Sequence, residues 1–226
     1  NWTYVLYNKE TDMLVVGGEI RTGKGESIIN CYAVFDQDLN LTYEGNVKMP
    51  FIEHDMSRKL FPAATYTLGN DNRMYFSSFV EKDYYMHIMF NSEFMLGYID
   101  TENNSVTTFD YKDENYLKFR AKLICLNGGV VAVGLYCDQT LDDSGESAHG
   151  VYLQRLDPSN PNVVNDVVYS EFMPEQFTSA VFENNSGDEA KEMAFKILKY
   201  SPQLVTDVMP LGDTAFIVCI SSFLRM

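Results

Sequence analysis

Residues 121–137, AKLICLNGGVVAVGLYC, decide how this chain folds. Residues 121–126 and 130–137 are two apolar, β-branched runs. Asn127-Gly128-Gly129 between them tolerates the positive φ that a tight hairpin turn needs. An acidic loop through Ala148 leads to a third run, 150–156, closed by Asp157, and the turn PSNPN leads to a fourth, 163–172. Runs of strand length joined by polar turns read as a four-stranded antiparallel meander.

The same order of parts recurs on both sides of this unit. Toward the N-terminus, residues 2–7, the turn 8–12 and residues 13–20 form a hairpin. Residues 28–35, closed by Asp36, and 41–47 follow it. A second copy runs through 63–68, the turn 69–72, 74–80, a longer loop, 93–99 closed by Asp100, the turn TENN and 105–111. Toward the C-terminus a further copy opens with 204–209, turns at 210–213 and runs through 214–223. Asp36, Asp100 and Asp157 stand 64 and 57 residues apart, which sets the period of the repeat. A repeat of that length built from four antiparallel strands is one blade of a propeller. The expected fold is therefore all-β, a β-propeller-like array of about three and a half blades. The blades fall near 1–50, 62–112, 119–173 and 203–226, within a single partial domain 1–226. A β-sandwich whose meanders resemble one another by accident is the alternative.

Residues 175–201 break the pattern. Ser186-Gly187-Asp188-Glu189 resembles a capping box, and Ala190, Met193, Ala194, Ile197 and Leu198 recur at helical spacing before Pro202. Phe177, Ala180 and Val181 read as a partner helical turn, so a small helical insertion is expected there. Because propellers close with roughly four to eight blades, the end faces are expected to be covered by remaining blades of a larger chain or by other protein subunits. The chain starts at Asn1 without an initiator Met, as a processed or partial chain would.

Composition narrows the function classes. Hydrophobic residues make up 46% of 226, enough for a substantial core and too many for a disordered chain. A net charge of -15 repels phosphate backbones, so no nucleic-acid partner is expected. No apolar run approaches the roughly eighteen residues of a membrane helix, so no transmembrane segment is expected. Cys31, Cys125, Cys137 and Cys219 sit singly in apolar runs and read as buried thiols, with a Cys137–Cys219 disulfide left open. Asn-x-Ser/Thr triplets begin at Asn1, Asn40, Asn103 and Asn184 and matter only in a eukaryotic secretory pathway.

The search for chemistry yields little. His54, His87 and His149 lie far apart with no triad or metal spacing, and His54-Asp55 reads as a solvated loop. Gly17-Gly18 reads as a bend, since no helix follows to cradle a phosphate. Asp36, Asp38 and Asn40 copy the first three oxygen ligands of a calcium loop. Leu41 then stands where Gly is needed and Val47 where a bidentate Glu is needed, so a plain turn is favoured and no cofactor is expected. Asp138, Asp142, Asp143 and Glu146 form an acidic loop open to calcium or a basic partner. The most informative cluster is Tyr84, Tyr85, Met86, Ile88, Met89 and Phe90, placed where a simple connection would be polar. Tyr84, Tyr85, Met86, Met89 and Phe90 are the expected binding surface, the alternative being an extended third strand buried between blades.

MLVVGG resembles the second strand of a kelch blade, and GNDNRMYF is similar to the turn and strand of NHL-type propellers. LNGGVVAVGLY and GVYLQRLD, with a helical insertion before the next hairpin, resemble propeller-like secreted or envelope proteins of Bacteroidetes bacteria. The resemblance carries over no catalytic residue. With it, the chain reads as a non-catalytic extracellular or cell-envelope binding or scaffold subunit of a larger assembly. A polysaccharide-processing enzyme or carbohydrate-binding accessory protein is the alternative.

Overall fold

A computed structural model describes residues 2–21, 23, 26–52, 64–81, 92–109, 112–118, 121–126, 129–138, 140, 148–162, 167–172, 203–211 and 215–222. Among these the protein is all-β. Strands β1 (Trp2–Asn8), β2 (Met13–Ile20), β3 (Ser27–Phe35) and β4 (Leu41–Ile52) form the first sheet in the order of the chain. β5 (Ala64–Leu68), β6 (Arg73–Glu81), β7 (Ser92–Asp100) and β8 (Ser105–Thr108) form the second. The third holds β10 (Lys122–Leu126), β11 (Gly129–Asp138), β12 (Gly150–Leu156) and β13 (Val167–Glu171), and the fourth pairs β14 (Gln203–Leu211) with β15 (Ala215–Ser222). All pairings are antiparallel.

A fifth strand in the third sheet, β9 (Tyr116–Lys118), has no counterpart in the sequence reading. It pairs with Tyr136–Asp138 of β11, beyond the reach of β10, so β9 and β10 line successive segments of the same β11 edge. Three residues are too short a run for periodicity to register. Gly17 and Gly18 form no bend. They pair in unbroken register with Tyr4 and Thr3 on one side and Tyr32 and Cys31 on the other, because the hairpin has no extra residue to accommodate.

The sheets pack in series. Val15, Val34 and Met49 of the first sheet bury against Met74, Phe76 and Ile99 of the second. On the opposite face of the second sheet, Tyr75, Leu96 and Tyr98 meet Val130, Ala132 and Tyr152 of the third. Val133 and Leu135 then meet Val205 and Val208 of the fourth. The second and third sheets are thus buried on both faces, which is why β11 reads as a nearly continuous apolar run. On the outer face of the first sheet, Val5, Tyr7, Val16 and Ile20 remain exposed, as do Met209 and Ile217 on the fourth. The first strands adjoin in order, β1 against β5, β5 against β10 and β10 against β14.

Polar contacts lock the sheets at the turns. Asn8 is buried, and its amide donates to the Leu68 carbonyl (3.2 Å) and to Asn70 Oδ1 (2.8 Å). Buried Lys118 donates to Gln154 Oε1 (3.2 Å) and lies over the Tyr152 and Tyr169 rings. The expected helical insertion 175–201 lies outside the described residues.

Candidate functional site

Among the described residues each first strand has a hydrogen-bonded neighbour on one side only, and β1, β5, β10 and β14 together border a cleft of about 520 Å³. Consecutive residues from both faces of these edge strands border it, Thr3, Tyr4, Thr65, Tyr66, Lys122 and Asp207 among them, joined by Glu19 from β2. Leu6, Leu123, Ile124 and Val208 supply apolar wall. The cleft mixes hydroxyls, two acids, one cation and hydrocarbon.

Tyr4 is held by its cross-strand partner. Gly17 stands opposite it, and a Cβ there would lie 2.5 Å from the phenol ring. The ring stacks on Tyr66 of the next sheet at a centroid distance of 4.6 Å. The Tyr4 hydroxyl donates to Asn30 Oδ1 (2.7 Å). Burial, and then the charge of Glu19, push the Tyr66 phenol well above its ordinary range. Burial raises Tyr4 as well, against the opposing effect of its hydrogen bond to Asn30. Both phenols therefore remain protonated donors at physiological pH.

Glu19 is 1% exposed, an acid on the inward face of a strand. Its Oε1 accepts from the Ala64 backbone N–H (3.0 Å) and the Tyr66 hydroxyl (2.9 Å), and Oε2 lies 4.0 Å from Arg21. It ties the start of β5 to the first sheet. Asp207 borders the cleft beside a β-bulge between Val205 and Asp207, where the register of β14 against β15 shifts.

Residues singled out by sequence fall elsewhere. Asp36, Asp38 and Asn40 form the β3–β4 turn. There the Asp36 carboxylate accepts from the N–H of Asp38 (2.9 Å), the N–H of Asn40 (2.8 Å) and the Asn40 amide (3.1 Å). Asp100 does the same for Asn103, and Asp157 for Ser159, so the repeating aspartates cap equivalent turns. The triplets at Asn40 and Asn103 have their amides committed to those carboxylates. Among the described residues no cluster of His, Cys, Asp and Glu has metal-ligating geometry. His149 Nδ1 accepts from the Asp138 N–H (2.8 Å), a contact that joins β11 to the start of β12. All four cysteines are free, and only Cys137 is fully buried. Tyr84, Tyr85, Met86, Met89 and Phe90 lie outside the described residues, as do His54, His87, Asp142, Asp143 and Glu146.

Sequence reasoning passed over Glu19, Lys122 and Asp207. The signal was present, since Glu19 follows Val15 and Gly17 on one period-2 face and Asp207 interrupts the apolar run 204–209.

No family model matches the chain, and no curated protein matches it. Among solved structures it is similar to a mannose phosphorylase from Leishmania mexicana, determined in complex with phosphate ion, at 12% identity and a TM-score of 0.43. The match covers 96% of this chain and 62% of that one, so this chain spans less than two thirds of that protein's length. A likeness of that size assigns neither family nor function.

Proposed function

We propose that the chain is a β-propeller-type binding or scaffold module whose ligand enters the cleft bordered by the first strands. One observation supports it above the others: successive sheets bury apolar faces against each other while their first strands adjoin in order around one cleft. Blades that fan out from inner strands have this arrangement. The exposed apolar residues Val5, Tyr7 and Val16 at one end and Met209 and Ile217 at the other suit coverage by further blades or subunits of a larger assembly. An extracellular or envelope setting rests on the resemblance of the blade sequences alone. The expected contact surface at 84–90 and a calcium ion at the Asp36 turn remain proposals of the same kind.

A screen of neutral sugars, amino acids and short peptides by thermal unfolding tests the binding role. At least one probe is expected to raise Tm by about 2 °C or more in the wild type. Thr65→Trp, which fills the cleft, is expected to abolish that rise. No shift from any probe, or a shift that survives Thr65→Trp, contradicts the reading.

The carbohydrate alternative is favoured by one specific feature, the stacked Tyr4–Tyr66 pair beside Glu19 and Asp207 on the same cleft. If it holds, the protein hydrolyses a chromogenic glycoside, and Glu19→Gln and Asp207→Asn each abolish turnover. An inactive wild type removes the enzymatic form of that reading.

A further inference from the structure

The packing that joins the four sheets points to what covers the two faces left open at its ends, an inference that rests on reading the sheets as successive blades. Each internal interface uses the same pair of faces, as the second strand of each sheet shows. Val15 of β2, Tyr75 of β6 and Val133 of β11 point toward the following sheet, while Phe76 of β6, Ala132 of β11 and Val218 of β15 point toward the preceding one. Alternation then assigns the exposed positions. Val16 of β2 is a backward-facing residue with no preceding sheet, and Ile217 of β15 a forward-facing one with no following sheet among the described residues.

The outer face of the first sheet is built like a buried one. The registers set Val5 and Tyr7 of β1 beside Val16 and Leu14 of β2, and Ile20 of β2 beside Ile29 of β3. No outward position of these three strands carries a charge, although 22% of the chain is charged. Charge returns at the fourth strand, with Glu44 and Lys48. The most exposed large apolar side chains of this face, Val5, Tyr7, Val16 and Ile20, all belong to β1 and β2, so two strands are enough to cover them. The fourth sheet offers two such strands, with Met209 opposite Ile217 and Asp207 opposite Cys219 on its outer face. Asp207 borders the open cleft, so covering Met209 and Ile217 does not require stripping its carboxylate of water.

Complementarity then selects the occupant. Two first sheets set face to face would join two backward-facing surfaces, a pairing found at none of the interfaces among the described sheets. The forward-facing surface that the first sheet lacks is present on the same polypeptide, at its fourth sheet. Copies of a chain that carries both halves of one interface associate head to tail, and the series closes when the rotation allows it. Two copies bring twice four sheets, the upper end of the roughly four to eight blades that close a propeller.

We propose that the outer face of the first sheet binds the outer face of the fourth sheet of a second copy, so that two copies pair head to tail. Sedimentation equilibrium of the full chain over a range of concentrations tests this. A dimer is expected, and it tightens as salt rises, because the apolar contact forms against the repulsion of two chains of charge -15. Val5→Asp, at a position 67% exposed in the single chain, and Ile217→Asp each weaken dimerisation about tenfold or more. An equimolar mixture of the two variants forms a mixed dimer, since one of its two contacts joins unaltered faces. Circular dichroism confirms that both variants fold, and the mass of the unaltered chain decides the matter if one does not. A chain that stays monomeric at high concentration and high salt overturns the pairing. Dimerisation that Ile217→Asp leaves intact overturns it as well, since first sheet would then meet first sheet. A monomer that still shows the ligand-induced rise in Tm loses the pairing and keeps the binding role.

Discussion

At the scale of single residues, the turns carry the repeat. Asp36, Asp100 and Asp157 each accept hydrogen bonds from the turn that follows, which holds their carboxyls below the ordinary carboxylate range; at Asp36 and Asp157 the side-chain hydrogen bond is the largest cause, and at Asp100 burial, the largest single effect, is outweighed by the bonds from Asn103 together with the Arg73 charge and the Glu102 N–H. Folded values below the unfolded 3.8 mean a stability contribution that is complete above that value and lost as pH falls through the folded ones. Urea denaturation is expected to show a midpoint that drops below about pH 4, and less steeply in the triple Asp→Asn variant. Leu39 in the same β3–β4 turn has φ 62° and is 68% exposed, a left-handed conformation that costs a leucine about 1 kcal/mol. Leu39→Gly is expected to raise stability by about 0.5–1 kcal/mol, as measured by the denaturation midpoint. The aspartates were legible in the sequence as a spacing. Their capping role was not, because the triplet Asp-x-Asp-x-Asn has the same spelling in a turn and in a cation loop.

Among the elements, one device recurs. An aromatic ring lies across a glycine directly opposite it on the neighbouring strand, as in Tyr4 and Gly17, Phe76 and Gly97, and Tyr152 and Gly134. A Cβ at Gly97 would fall 2.4 Å from the Phe76 ring, and one at Gly134 2.6 Å from that of Tyr152. Gly134→Ala is expected to cost about 1–3 kcal/mol, with most of the loss recovered in the double variant Gly134→Ala, Tyr152→Leu. A loss that Tyr152→Leu does not recover contradicts a steric cause. Strand positions were legible because β-branched runs and polar turns alternate so regularly, and 13–20 and 150–156 coincide with β2 and β12. Their lengths were less so. β4 continues five residues beyond Val47 to Ile52 through Pro50, on a strand whose other edge has no partner among the described residues, where a missing N–H costs no ladder bond. The glycines were misread as a bend because the ring that fills the space above Gly17 belongs to another strand.

Across the whole molecule, the account rests on serial packing. Glu19 is the polar tie between the first two sheets, and Glu19→Ala leaves the Ala64 N–H and Tyr66 hydroxyl without their acceptor. A loss of about 2–3 kcal/mol is expected by chemical denaturation, and no loss would show that the tie contributes nothing. The repeat made a succession of sheets legible, but the cleft was not, since its residues come from four strands spread between Thr3 and Val208. The most direct test compares two spin-label distances that span the same three sheets. One pair sits on first strands, Thr3 of β1 and Lys122 of β10, and the other on fourth strands, Glu44 of β4 and Ser170 of β13. Sheets that fan out from a common cleft place the first pair distinctly closer than the second; equal distances, or the reverse order, would mean flat parallel layers and contradict the account.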